Sequence, residues 1–398
     1  MIKIVNKAKC CGCTACENIC PKKCITLIPD EEGFLYPSAD ESKCSQCGLC
    51  EKVCPMLNPP KFTRHTEPAT FVAQTKNDSI LPLCASGGVV TTLARHLVRQ
   101  NWYIAGVAYD EEFKVIHGIT NEENRIDSFA GSKYVQSDLG NVFTAVQGRL
   151  KSEESVLFCG TPCQVAGLRR FLDRDYDNLI TIDLACHGVP SPLLWEKYVE
   201  YIEKKHGRLK RVNFRSKRFG YHVTVMEETH DDGKSYFGSA RTNLMSKIFF
   251  SNIADRMSCY RCPFKTVNRI SDLTVYDSWH ASDLAVGLRD NDKGYTNVIV
   301  QSEKGKRLLD QCSELFFLRE TSTEKAVELD GSMMTQSTKI HPGREQFYPY
   351  LMEHGIELAV KKFLPISKMD RIIDKTKGYL NGFGILRRIK TIRDSLCH

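Results

Sequence analysis

The sequence predicts a mixed fold: a small α+β N-terminal module, an α/β domain behind it and a helical C-terminal region. Three observations carry this. Two closely spaced cysteine runs fill residues 1–60, strand–loop–helix patterns recur over residues 70–325, and amphipathic helical spacing marks residues 326–398. At 398 residues the chain is too long for one ordinary core, and two or three domains are expected. Residues 61–69, which include Lys61, read as a linker after Asn58-Pro59-Pro60.

Composition narrows the functional classes. Apolar residues make up 42% of the chain, yet no apolar run is long enough to span a bilayer. Residues 1–9 lack the apolar stretch of a secretory signal, so a cytoplasmic location is expected. The net charge of +7 is mild, and no basic motif with interleaved aromatics accompanies it, so no nucleic-acid partner is expected. Eighteen cysteines in a long chain without an export signal point to metal ligation rather than a disulfide framework.

The cysteine spacing is specific. Cys10-x2-Cys13-x2-Cys16-x3-Cys20-Pro21 is followed by Cys44-x2-Cys47-x2-Cys50-x3-Cys54-Pro55. In this bacterial ferredoxin pattern three cysteines wrap one [4Fe-4S] cluster and the fourth belongs to the other. One cluster therefore takes Cys10, Cys13, Cys16 and Cys54, and the second takes Cys20, Cys44, Cys47 and Cys50. Structural zinc also uses paired C-x2-C, but not two four-cysteine runs ending in Cys-Pro. Cys24 to Ile28 and Phe34 to Pro37 read as two strands around an Asp30-Glu31-Glu32-Gly33 turn, and Cys11 and Cys24 are left as packed thiols.

In the second domain Phe71 to Gln74 reads as a strand. Ser86-Gly87-Gly88 opens a helix with apolar residues at Val89, Leu93, Ala94 and Leu97, and Ser86 is the expected N-cap. Such a glycine-rich helix start is an anion site, although most serve only to end a turn. Residues 103–109 and 114–119 alternate as a hairpin. Two strand–loop–helix units follow, through Cys159-Gly160-Thr161-Pro162-Cys163-Gln164 and through Ala185-Cys186-His187-Gly188. Both loops follow the C-terminal ends of strands, where open α/β sheets bind ligands. With Cys259 and Cys262, Cys163 and Cys186 form a candidate set for a third cluster. Spacing alone favours ordinary buried thiols, with zinc or a redox-active Cys259–Cys262 disulfide as further options.

Six motifs in order resemble the coenzyme F420 hydrogenase/dehydrogenase beta-subunit family: Ala85-Ser86-Gly87-Gly88, Gly131-Ser132-Lys133-Tyr134-Val135-Gln136-Ser137, Gly160-Thr161-Pro162-Cys163-Gln164-Val165-Ala166-Gly167-Leu168, Cys186-His187-Gly188-Val189-Pro190-Ser191-Pro192, Cys259-x2-Cys262, and the stretch from Ser271 to Trp279. The resemblance implies an α+β ferredoxin-like N-terminal module followed by an α/β flavin-binding domain and a helical C-terminal region. It implies an iron-sulfur oxidoreductase with bound FAD, and a third [4Fe-4S] cluster on Cys163, Cys186, Cys259 and Cys262. Cys159 stands where relatives often have serine and is left out of that set.

On this reading Ser86, Gly87 and Gly88 hold the flavin pyrophosphate, assisted by Lys133, Tyr134, Thr161 and Asp277, and His187 is the candidate catalytic proton donor. Each has a plainer role open to it, as a loop, capping or structural residue. The hydride partner is a coenzyme F420-like or polysaccharide-pathway compound, and the redox partner a ferredoxin, NAD(P)H or coenzyme F420. The alternative is a non-catalytic electron-transfer subunit of a larger complex. Residues 359–363 and 384–390 read as basic amphipathic helices that either pack on their own domain or touch an anionic membrane peripherally.

Overall fold

The computed structural model describes residues 1–60 and 68–382. Most of the expected linker and the amphipathic segment at 384–390 lie outside the described residues. In the N-terminal module each cysteine loop runs into a single helical turn, α1 (Ala15–Asn18) and α2 (Leu49–Lys52), entered through left-handed Thr14 and Gly48. Between them β1 (Ile25–Pro29) and β2 (Leu35–Ala39) pair antiparallel, one residue later than the sequence suggests. Asp30 builds the turn: its Oδ1 accepts from the backbone N–H groups of Glu32 and Phe34 at 3.1 and 2.9 Å.

The body begins with β3 (Thr70–Thr75), α3 (Val89–Val98), β4 (Tyr103–Tyr109), β5 (Val115–Thr120) and α4 (Val142–Lys151). Next come β6 (Val156–Gly160), α5 (Pro162–Leu172), β7 (Leu179–Leu184) and α6 (Pro192–His206). A three-stranded meander of β8 (Leu209–Ser216), β9 (Val225–His230) and β10 (Ser235–Gly238) precedes α7 (Leu244–Ser251). The chain returns to the main sheet through β11 (Leu273–Ser278), α8 (Ala281–Leu284), β12 (Tyr295–Val300), α9 (Glu303–Gln311) and β13 (Phe316–Thr321).

The main sheet has eight strands in the order β13-β3-β12-β11-β7-β6-β4-β5. Its centre, β11-β7-β6-β4, is parallel, and the flanking pairs are antiparallel. The central strands carry apolar side chains on both faces because helices cover both faces. Leu157 and Ile182 meet α3 and α9 on one side, while Val156 and Phe158 meet α4 and α5 on the other. The loops that follow β6, β7 and β11 therefore open on one edge of the sheet.

The N-terminal module is not a bead on a string. Cys11, Cys13, Ala15 and Val53 share the α4–α5 core with Phe143, Val165 and Leu168, and Phe34 enters a second core with Trp195 and Tyr348. Arg344 grips Glu32 with two bonds of 2.7 Å. Arg256, fully buried, donates to the carbonyls of Cys10 at 2.8 Å and Leu35 at 2.9 Å, and to Gln136 Oε1 at 3.0 Å.

After β13 the boundary expected at 325–326 falls inside α10 (Thr323–Asp330). Asp330 accepts from the backbone N–H of His280 near β11, and Met334 of α11 (Ser332–Thr335) packs on Tyr276. Then α12 (Arg344–His354) and α13 (Ile356–Phe363) lead to α14 (Lys368–Gly382). Ile356, Ala359 and Val360 of α13 join the core that contains α6 and α7 residues, and Lys361 and Lys362 face solvent. This is the own-domain packing weighed against a membrane contact. No helix among the described residues is long and apolar enough to cross a membrane.

Replacing Arg256 by Met leaves two buried carbonyls without their charged donor. We expect a loss of about 2–3 kcal/mol in urea unfolding, with faster proteolytic release of the N-terminal module.

Candidate cluster and cofactor site

Cys20, Cys44, Cys47 and Cys50 line one small concavity. Backbone N–H groups point at three of its sulfurs: Cys24 to Cys20, Gln46 to Cys44 and Ile2 to Cys50, at 3.3–3.4 Å. Such donors hold thiolate charge and tune cluster potential, so the residues present fit a cluster. Cys47 is exposed. Around Cys16, burial and then the neighbouring Cys10 and Cys54 thiols push the thiol well up. Cys10, Cys16 and Cys54 thus lie near one another.

A cavity of about 440 Å³ opens at the edge of the main sheet where the loops after β6, β7 and β11 meet. Its size is that of a small-molecule or cofactor site. Cys163, Cys186, Cys259 and Cys262 all line it. Cys163 lies in the first turn of α5, Cys186 just after β7, and Cys259 and Cys262 on a tight turn after α7. Burial and then Cys163 push the Cys186 thiol up to about 12 and the Cys262 thiol up to about 11. Cys259 and Cys262 are free thiols rather than a disulfide. Four thiols drawn from three segments and facing one space fit a cluster as donors.

Ser86, Gly88, Lys133, Tyr134, Thr161, His187 and Asp277 line the same cavity. Gly87 does not. Its N–H donates to Thr296 Oγ1 at 2.9 Å, and a Cβ there would lie 2.4 Å from the Ala73 carbonyl. Gly87 is a close-packing residue between strands, not an anion donor. Ser86 is also not the N-cap, since its hydroxyl pairs with Thr296 Oγ1 at 2.8 Å. Gly88, at φ +79°, is the N-cap of α3.

Lys133 Nζ donates to the carbonyls of Ala130 at 2.9 Å and Gly131 at 3.4 Å and sits over the Tyr109 ring. Burial pushes its pKa down to about 8. Tyr134 stacks on Phe249 at 4.1 Å with the rings 3° apart. Thr161 caps α5 in a reciprocal pair with Gln164. Asp277 accepts two bonds from Arg215, at 2.9 and 3.1 Å, and one from Tyr221. His187 Nε2 is 2.6 Å from Asn252 Oδ1, and burial lowers its pKa. At neutral pH it is an uncharged hydrogen-bonding group rather than a ready acid.

Several site residues were not singled out from sequence. Arg215 near the end of β8 and Lys217 just after it form an Arg-Ser-Lys string that resembles a solvated strand end. Yet Arg215 is buried against Asp277, and Lys217 Nζ bonds the carbonyls of Leu81, Ser86 and Lys293 at 2.6–3.0 Å. Burial pushes Lys217 down to about 8 as well. Lys265 donates to the carbonyls of Cys186 and Met333. Lys133 and Lys265 line the cavity, and Lys217 lies beside it at the Ser86 carbonyl; all three meet carbonyl dipoles.

Residues 153–325 match the family described as the C terminus of the coenzyme F420 hydrogenase/dehydrogenase beta subunit, and residues 9–57 match the 4Fe-4S dicluster domain. The first match begins after the motifs at residues 85–88 and 131–137. A curated relative, the F420-dependent formate dehydrogenase subunit beta of Methanocaldococcus jannaschii, is 20% identical over 268 residues, 64% of this chain. The chain spans 62% of that relative's length. Among solved structures, a chain from the F420-reducing [NiFe] hydrogenase complex of Methanosarcina barkeri aligns with a TM-score of 0.42 and 14% identity. That alignment covers 76% of this chain and 92% of that one. Over residues 153–325 the chain is thus similar to the coenzyme F420 hydrogenase/dehydrogenase beta-subunit family, and over residues 9–57 to the 4Fe-4S dicluster domain.

Proposed function

We propose that this chain is an iron-sulfur flavoprotein oxidoreductase, with two ferredoxin clusters, a third cluster on Cys163, Cys186, Cys259 and Cys262, and a flavin in the same cavity. The observation that carries the reading is that this thiol set and the Ser86, Gly88 and Lys133 groups face one cavity, beside the ferredoxin module. A bound flavin, FAD on this reading, takes up hydride as two electrons and releases them singly, which matches it to one-electron clusters. The hydride partner is a deazaflavin such as coenzyme F420, in line with the formate dehydrogenase relative.

The chain's residues have assignable tasks. The N-terminus of α3, with Gly88 as its cap, offers backbone donors to a pyrophosphate. Lys133 and Lys217 flank that end and balance its charge. The stacked Tyr134 and Phe249 form a flat wall for a ring system. Asp277 holds Arg215 in place, and His187 orients a group by hydrogen bonding. The competing reading is a wiring subunit of a larger complex, favoured by the relative being a subunit. A bare carrier, however, has no use for a cavity of about 440 Å³.

Anaerobic purification with iron, acid-labile sulfide and flavin measured per chain tests the reading. About twelve irons with about one flavin is expected. About eight irons without flavin after reconstitution would leave only the carrier. Replacing Cys163 by Ser should lower iron to about eight while the ferredoxin clusters persist.

The lysines give a pH signature. Lys133 and Lys217 titrate at about 8 in the fold, against 10.5 when unfolded. Between those values the unfolded chain binds more protons, so stability of the flavin-free protein rises with pH across that window. Flavin affinity runs the other way and falls as pH rises through about 8, because the anion needs the ammonium form. Lys133→Met should weaken flavin binding about tenfold at about pH 7 and flatten this dependence, as read by fluorescence titration.

A further inference from the structure

The ferredoxin module and the cavity thiols meet on one face of α5. Cys163 lies in the first turn of that helix, and Gly167 lies four residues on, one turn along the same face. A Cβ placed on Gly167 would fall 2.8 Å from the Cβ of Cys13 and 2.9 Å from its Sγ. Real Cβ atoms do not come so close to other atoms. The missing side chain therefore lets the Cys10–Cys16 loop close on α5, one turn from Cys163.

Cys11 occupies the space between. It is buried, its thiol interacts with those of Cys13 and Cys163, and it lines the cavity as well. The loop is pressed into this seat from the other side. Gly12, at φ +70°, leaves room for Gln136 Nε2, which would lie 2.5 Å from a Cβ there, and that amide donates to the Cys11 carbonyl at 3.1 Å. Arg256 closes the seat at the Cys10 carbonyl.

We propose that Gly167 is a positioning residue. By lacking a side chain it fixes the electronic contact between the Cys10, Cys13, Cys16 and Cys54 set and the Cys163, Cys186, Cys259 and Cys262 set, with Cys11 packed between them. This rests on the reading that both sets carry clusters. Electrons cross this junction singly: one side is oxidised by the electron the other gains, no cysteine bond forms or breaks, and no proton moves. The rigid seat makes the contact a permanent feature of the fold rather than an encounter.

The test uses the full chain purified anaerobically as Gly167→Ala, with Gly148→Ala on α4 as the control because a Cβ there meets open space. Iron content, electron paramagnetic resonance of the dithionite-reduced protein and the rate of internal electron redistribution are read. In Gly167→Ala, iron should remain at about twelve per chain, magnetic coupling between neighbouring clusters should weaken, and redistribution should slow severalfold. Gly148→Ala should match the unaltered protein. Should Gly167→Ala fail to hold its clusters, Cys11→Ala, which opens a gap without any clash, must show the same weakened coupling. Full iron with unchanged coupling and rate in the variant that loads would overturn the proposal. Unaltered protein with about eight irons would overturn the third-cluster reading, and the proposal with it, and the iron count tells the two failures apart.

Discussion

A single buried guanidinium sets the frame for much of this structure. Arg256 has no carboxylate partner among its hydrogen bonds; it holds two main-chain carbonyls and one amide oxygen, lies 4.2 Å from the centre of the Tyr36 ring, and approaches Cys10 Sγ at 3.5 Å. Burying a cation is costly unless charge and hydrogen bonds compensate it. Here its hydrogen bonds to Cys10, Leu35 and Gln136 and the face of the Tyr36 ring supply that compensation. The arginine thus ties the loop that carries Cys10 to the body of the fold.

The same logic applies to the cavity. Lys133, Lys217 and Lys265 meet carbonyl oxygens in the fold, and burial depresses the first two. Carbonyl dipoles offset only part of the cost of an enclosed ammonium. Bound anions would supply the rest: a pyrophosphate beside Lys133 and Lys217, and thiolate-ligated iron beside Lys265. Asp277 adds no negative charge to this balance because Arg215 neutralises it. On the proposed reading the lysine charge suits a phosphate group, and the largely apolar walls suit a ring system.

What was legible in the sequence was what is local. Cluster ligation imposes short spacings, so Cys10 to Cys54 could be read directly, and the parallel strands β6 and β7 announced themselves as apolar runs ending in small-residue loops. What was not legible depends on distant partners. Ser86 reads as a good N-cap, but Thr296 is 210 residues away and takes its hydroxyl, which leaves the cap to Gly88. Gly87 looks like room for a ligand and is instead room for the Ala73 carbonyl. Arg215 looks like surface charge until β8 brings it to Asp277 at the end of β11. Cys11 looks like a spare thiol until the module docks.

The arrangement also bears on why one chain would hold both kinds of redox group. One-electron carriers gain from close, fixed contacts, whereas hydride exchange needs an open approach for a second molecule. The fold separates these demands by face. The buried side of the cavity abuts Cys163, α5 and the ferredoxin loop, where packing is tight enough that a single methyl on Gly167 has no room. His187 and the half-exposed Phe250 line the cavity as well and touch each other. A sheet whose central strands are parallel makes this possible, because consecutive strand ends deliver cysteines, backbone donors and aromatic walls to one edge. An antiparallel sheet would have sent alternate loops to opposite edges and split the site in two.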